Sequence, residues 1–329
     1  MTSRLLLPGL VAASLLAIFA ACLLGSTPMP ADRVLAAFLG GGDVGDRLVV
    51  WQIRLPRALA AFITGAALGI SGAALQGLLR NPLAEPGVLG VSASASLAAT
   101  FSLYYGFAAL SPWVLPIAAI AGALAATALI ALAAIRTRSV VTLILIGVGL
   151  SSFSGAAMSL LMNLAPNPFS LSDMINWMLG SVANRSFQEV GFAAPFLTVG
   201  AAILLMSRRG LSALTLGEEA ASGVGLNLRN QRILTVLGAG LATGGSVALA
   251  GAIGFVGIVA PHIIRPFVKH DPARSLIPSA LLAGLILVVA DIFVRLLPTS
   301  NELKLGVVAA LIGAPAFVWI AMRRRTLND

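Results

Sequence analysis

The chain has 329 residues, 58% hydrophobic and 10% charged, with a formal net charge of +9 and a pI near 11.3. That composition excludes a soluble globular domain and demands several apolar segments of about 20 residues within a bilayer. The basic residues are scattered between apolar segments instead of gathered in a patch, so the charge points to a membrane and away from nucleic acid. The single Cys22 rules out an intrachain disulfide and a cysteine-based metal cluster.

In chain order, Arg4, an apolar run and Ala20-Ala21-Cys22 imitate a secretory or lipoprotein signal. Nine further spans follow, and Phe19 is a poor residue three before a lipidated cysteine, so the run is expected to persist as a first helix. The ten spans lie near 5–24, 55–79, 90–105, 113–135, 140–164, 191–206, 233–252, 254–268, 276–297 and 305–322. With both termini inside, the inner loops carry 14 of the 21 basic residues and the outer loops 7, as the positive-inside rule requires.

The second span opens on Arg54 and Arg57 and runs uncharged to Arg80. A helix of about 24 residues covers roughly 36 Å, enough to cross the hydrocarbon with some tilt. Gly65, Gly69 and Gly72 recur at i, i+4 and i+7, which predicts a bare face for close helix packing and a central, protein-surrounded span. The third span is short and carries Ser92, Ser94 and Ser96, and the eighth is cut by Gly254, Gly257, Pro261 and Pro266. Each follows a glycine-rich span, the seventh carrying Gly240 and Gly244. This pattern predicts an inverted repeat, helices 2–5 against 7–10, with broken helices near a transport route.

Two surface helices interrupt the spans. Over 170–180 an apolar stripe (Leu171, Met174, Ile175, Met178, Leu179) is expected to start at a Ser170–Asp173 capping box and end at Gly180, with Trp177 at the lipid interface. Such a helix either lies on the membrane or takes part in gating. Inside, the loop 207–232 is expected to hold a Thr215–Glu218 capping box.

Catalytic chemistry is absent from the sequence. It contains no Gly-Lys pair for a phosphate loop, no HExxH and no Ser/His/Asp set. Of the histidines, His262 suits helix packing better than metal or haem ligation. Only Asp291 and Arg295 are charged well inside a span, at i and i+4, where they are expected to pair with each other. An ion-coupled carrier should bury a longer relay, so the energy for transport is expected to arrive from a partner through the 207–232 loop.

The second span and its loop, with GFVGIVAPHIIR (Gly254–Arg265), ADIFVRL (Ala290–Leu296) and NELKLGVVAALIGAPAF (Asn301–Phe317), resemble the permeases that import iron-siderophores, haem and cobalamin within the ATP-binding-cassette (ABC) importers. The likeness extends over nearly the whole chain, and WMLGSVANRSF (Trp177–Phe187) looks most like the haem-importing members. It implies an all-α, cobalamin-permease-like membrane fold in one permease domain, 1–329. It also implies alternating access in an inner-membrane homodimer with two ATPase subunits and a periplasmic substrate-binding protein. ATP and Mg would be bound by the ATPases, leaving this chain without cofactor, metal or catalytic residue.

Residue by residue, Glu219-Ala220-Ala221 and Gly225 match the EAA-xxx-G signature that docks on the ATPase, with Gly217, Glu218 and Leu226 beside it. Arg54, Arg57 and Arg295 match positions that receive acidic residues of the binding protein; arginine suits this because it stays charged and forks onto a carboxylate. Snorkelling at a helix end, or the pair with Asp291, is the alternative for them. Asn81 and Leu83 match an inner gate, and Ser139, Val140 and Thr142 its second layer. Spans 5 and 10 line the route in relatives, and here they present Ser151, Ser154, Met158, Met162 and Ala316, together with Ser152 and Ser159. One departure stands out: relatives commonly have proline where this chain has Lys304. Arg185, Lys304 and the docking arginines around an apolar route favour haem, which is flat and bears two propionates, over a ferric siderophore or cobalamin.

Overall fold

The computed structural model describes residues 3–25, 27, 29–137, 139–298 and 302–323, and every regular element in them is helical. Arg138, Arg324 and Arg325, three of the 14 basic residues counted inside, and Asn301 lie outside the described residues. Each of the ten expected spans holds a helix: α1 (Ser3–Leu23), α4 (Leu55–Leu78), α5 (Val91–Tyr104), α6 (Val114–Arg136), α7 (Val140–Asn163), α9 (Phe187–Met206), α12 (Leu228–Ala250), α13 (Val256–Ile264), α14 (Pro272–Leu296) and α15 (Leu305–Arg323). Seven of the helices are long and apolar enough to cross a membrane alone. Two short helices between the first spans escaped the sequence reading, α2 (Ala31–Phe38) and α3 (Val44–Leu48). A π-helical turn, Val49–Arg54, joins α3 to α4, so the second span forms part of one 35-residue rod.

The glycine face predicted on α4 is used. A Cβ on Gly65 or Gly69 would run into the backbone of α14, and one on Gly72 into the carbonyl of Gly257 at the start of α13. Backbone-to-backbone approach of this kind replaces the missing hydrophobic drive between helices in lipid. As a result α4 and α12 are buried over 78% of their most apolar stretch, whereas α7 is buried over only 17%.

The packing partners reveal the inverted repeat. The second span, α4, packs on the ninth, α14, while the seventh, α12, packs on the fourth, α6. The third and eighth spans, α5 and α13, likewise pack on α12 and α4, the exchanged contact that a two-fold repeat requires. Both short helices start inside the bundle. After α4 the chain turns back through a 3-10 turn, Pro86–Leu89, which lies against Gly147, about 10 Å along α7. Gly90, at φ +74°, then launches α5, whose 14 residues cover only about 21 Å. Likewise α13 has 9 residues and begins at Phe255, which holds φ +66°.

At the outer end, α8 (Pro168–Met178) does not lie loose on lipid. Met174 is fully buried and Trp177 packs on the core. Ser181 N–H donates to Ala250 C=O (2.7 Å) and Gly306 N–H to Gly180 C=O (3.1 Å), tying its end to α12 and α15. The expected Ser170–Asp173 box does not form, because Asn167 one turn earlier caps the helix by accepting from Ser170 N–H (2.8 Å). A complete capping box instead starts α9, between Ser186 and Glu189.

Candidate functional site

The 207–232 loop lies at the end of the bundle expected to be inner. There α9 gives way to α10 (Arg208–Ala213), a 3-10 turn and α11 (Glu218–Gly223). Gly217 and Gly225 flank α11 at φ +98° and +91°, conformations that glycine adopts without strain, and a Cβ on either would meet nothing. They set the direction of α11; they do not relieve crowding. The Thr215 hydroxyl donates to Ser212 C=O (2.6 Å), so the expected Thr215–Glu218 box is absent.

Glu218 instead accepts twice from Arg232 (2.8 and 2.9 Å), a buried guanidinium on α12 that also donates to Thr137 C=O (3.4 Å). One arginine therefore ties the loop helix to α12 and to the turn before α7. Sequence reasoning missed it because Arg232 had been counted as a loop charge. Ala221 is fully buried and its carbonyl accepts from Leu226 N–H (3.0 Å), so it faces the bundle and not a partner. The outward face consists of Glu219, Ala220 and Val224, with Leu216 beside it; Val224 is 71% and Leu216 66% exposed.

The gate positions carry local structure. Asn81 is exposed and its side chain accepts from Leu83 N–H (2.9 Å), closing a turn around a half-buried Leu83. Ser139 caps α7 by accepting from Thr142 N–H (3.3 Å), and Val140 packs on the core.

The outer arginines turn inward. Arg54, 7% exposed, donates to the carbonyls of Cys22 (2.8 Å), Leu23 (3.0 Å) and Thr27, and Arg295 donates to Ala21 C=O (3.0 Å). Together they satisfy the carbonyls left open at the end of α1, where a cation is also favoured by the helix dipole. Asp291 pairs with Arg295, as expected, at 3.1 Å, but also with Arg57 at 2.8 Å, and Arg57 reaches Glu302. Two arginines and two carboxylates make the group neutral. Snorkelling is excluded for Arg54, whose guanidinium has carbonyl partners inside the protein. Arg185 is paired with Glu189.

The route residues on α7 divide between faces. Ser151 donates to Gly87 C=O (3.1 Å), Ser154 meets Ser94 of α5 (3.3 Å), and Met158 is 7% exposed. The two serines turn toward the 86–89 turn and α5. Met162 is half-buried. One exposed stripe is Gly149, Ser152, Ala156, Ser159 and Asn163, small or polar at helical spacing, and beside it Leu145, Phe153 and Leu160 are exposed as well. On α15, Val307, Ala310 and Ala314 line a cavity of ≈ 580 Å³ shared with α8 and the 252–255 loop; Ala316 is half-buried and off its wall.

A further residue emerges where the two broken helices meet. The half-buried carboxylate of Glu85, before α5, accepts from Phe255 N–H (3.1 Å) at the start of α13, while the Phe255 ring packs on Gly313 of α15. Glu85 reads as a loop residue in sequence, since nothing local shows that its loop re-enters the bundle. Gln76 makes a second crossing. It accepts from Arg265 (2.6 Å) and donates to the carbonyls of Gly257 and Ile258 (both 3.5 Å).

With this architecture in place, residues 13–323 match the family model described as the FecCD transport family. The chain belongs to the FecCD transport family. It is 38% identical over 313 residues to an uncharacterized ABC transporter permease protein, YvrB, of Bacillus subtilis, covering 91% of this chain and 88% of that one. It is 42% identical over 279 residues to the vitamin B12 import system permease protein BtuC of Citrobacter koseri, 84% of each chain. A solved structure described as "an inward-facing conformation of a putative metal-chelate type ABC transporter" superposes with a TM-score of 0.87 at 29% identity, over 96% of this chain and 98% of that one. This FecCD chain is a multi-pass permease of the ABC importer type.

Proposed function

We propose that the chain is the translocation subunit of an ATP-driven importer that moves a bulky metal chelate across the inner membrane. It works as a homodimer, with both termini in the cytoplasm, two ATPase subunits on α11 and a periplasmic binding protein at the outer end. The whole described chain acts as one permease domain, and chemistry is left to the ATPases. The observation that carries this reading is the exposed α11, coupled through Glu218–Arg232 to α12 and the 137 turn, in a chain without a nucleotide-binding motif. Movement of α11 by a partner is passed directly to the two elements beside the inner gate.

For the ligand, the charge of the mouth supports one reading over another. Three of the five basic groups that favoured haem have carboxylate partners within the chain, Arg54 is spent on carbonyls, and Lys304 has no ion pair among the described residues. A mouth neutralised in this way suits an uncharged corrinoid better than a dianionic porphyrin, and a vitamin B12 permease is among the relatives. Haem remains the second reading, on the Trp177–Phe187 likeness. Of the three docking arginines, Arg57 is the one whose partner, Glu302, is exposed, so it is the one placed to exchange that partner for a carboxylate of the binding protein.

Vesicles holding the whole complex test both levels. ATP-dependent accumulation of cobalamin delivered on its binding protein is expected. Accumulation of haem or a ferric siderophore in its place overturns the ligand and leaves the importer standing. Uptake driven by an ion gradient with no ATPase present overturns the importer.

A further inference from the structure

On the inner end, away from α11's outward face, α1, α10 and the turn between α13 and α14 enclose a groove of ≈ 670 Å³. Arg208, Arg209, Lys269 and Arg274 line it, and Leu7 and Phe267 form its apolar wall, 41% and 42% exposed. The one carboxylate in the groove, Asp271, is already engaged by the Ser212 hydroxyl (2.6 Å), Ala273 N–H (2.9 Å) and Arg274 (3.3 Å). Arg208, Arg209 and Lys269 have no ion-pair partner among the described residues. Lys269 is held beside the groove by a turn in which it and His270 both adopt positive φ, +55° and +62°.

We propose that this groove binds the headgroup of an anionic phospholipid. The start of α1, α10, the 3-10 turn 265–268 that follows α13 and the first turns of α14 all converge here, so the groove sits where apolar helices end, at the level where acyl chains meet headgroups. Clustered cations between transmembrane helices at that level recognise anionic headgroups. A free phosphate would use the cations and leave Leu7 and Phe267 exposed to water; acyl chains cover them. The site is independent of the ligand carried, so its failure leaves the transport reading intact.

The test uses the full chain purified in detergent, with its thermal unfolding midpoint followed against added short-chain phosphatidylglycerol. A saturable rise is expected, since a ligand bound only by the folded state stabilises it. Phosphatidylcholine of the same chains and inorganic phosphate are expected to produce no such rise. Arg209→Gln combined with Lys269→Gln, both exposed, should weaken phosphatidylglycerol about thirtyfold, at roughly fivefold for each basic residue. The charge-matched control, Arg136→Gln with Arg229→Gln, should leave it unchanged. If the double variant fails to fold, Arg208→Gln alone should weaken binding about fivefold. An equal response to phosphatidylcholine, an equal response to phosphate, or no response overturns the proposal. So does a variant that keeps its lipid response but no longer co-purifies with the ATPase, which would make the groove a protein surface.

Discussion

Asp291 is 1% exposed and faces two guanidiniums, of Arg57 and Arg295, that are themselves nearly buried. Removing it leaves two nearly buried guanidiniums with only the exposed Glu302 between them, one charge uncompensated, a loss of about 3–5 kcal/mol by analogy with broken buried pairs. Asp291→Ala is therefore expected to lower the unfolding midpoint sharply. Glu302→Gln, on the exposed arm of the same group, should cost about 1 kcal/mol or less. Equal losses in the two variants would show that the group is solvated and that Asp291 does not organise it. Glu85 illustrates the same residue-scale logic elsewhere: one carboxylate accepts from the backbone N–H that Phe255 exposes at the broken start of α13.

Among the elements, α11 makes the sharpest claim. Gly225→Trp cannot test ATPase docking cleanly, because at φ +91° any side chain strains the turn whatever the partner does. Ala220 lies on the outward face and inside the helix, so Ala220→Trp adds bulk to the docking surface without a backbone penalty. Its unfolding midpoint should match the parent's while the co-purifying ATPase is lost. Retention of the ATPase in parental amounts would remove α11 as the docking element. The short α5 and α13 belong to the same scale: both begin inside the bundle, the turn before α5 seated on Gly147 of α7 and the start of α13 on Gly72 of α4.

For the whole molecule, the nearly uncovered α7 bears a stripe of small and polar residues that the second copy and the route are proposed to share. In a Cys22→Ala background, Ser159→Cys on that stripe should cross-link two copies in native membranes. Ser154→Cys, turned against Ser94, should not. Cross-linking at Ser154 and not at Ser159 would place the symmetry axis elsewhere. Amino-acid order alone determined the membrane class, the ten spans, the close-packing face of α4 and the loop that holds α11. Those signals are local: apolar length, glycine spacing and a short motif within one segment. Only the tertiary structure decided which way each side chain looks and what it meets. Arg54 is a helix-end cation in sequence and a cap for α1 in space. Ser151 and Ser154 sit in a span expected to line a route but turn toward the 86–89 turn and α5. Glu85 and Arg232 are loop charges until the re-entrant turn and the buried start of α12 give them partners. Such partners lie tens to hundreds of residues away in the chain, and helical periodicity carries no information about them.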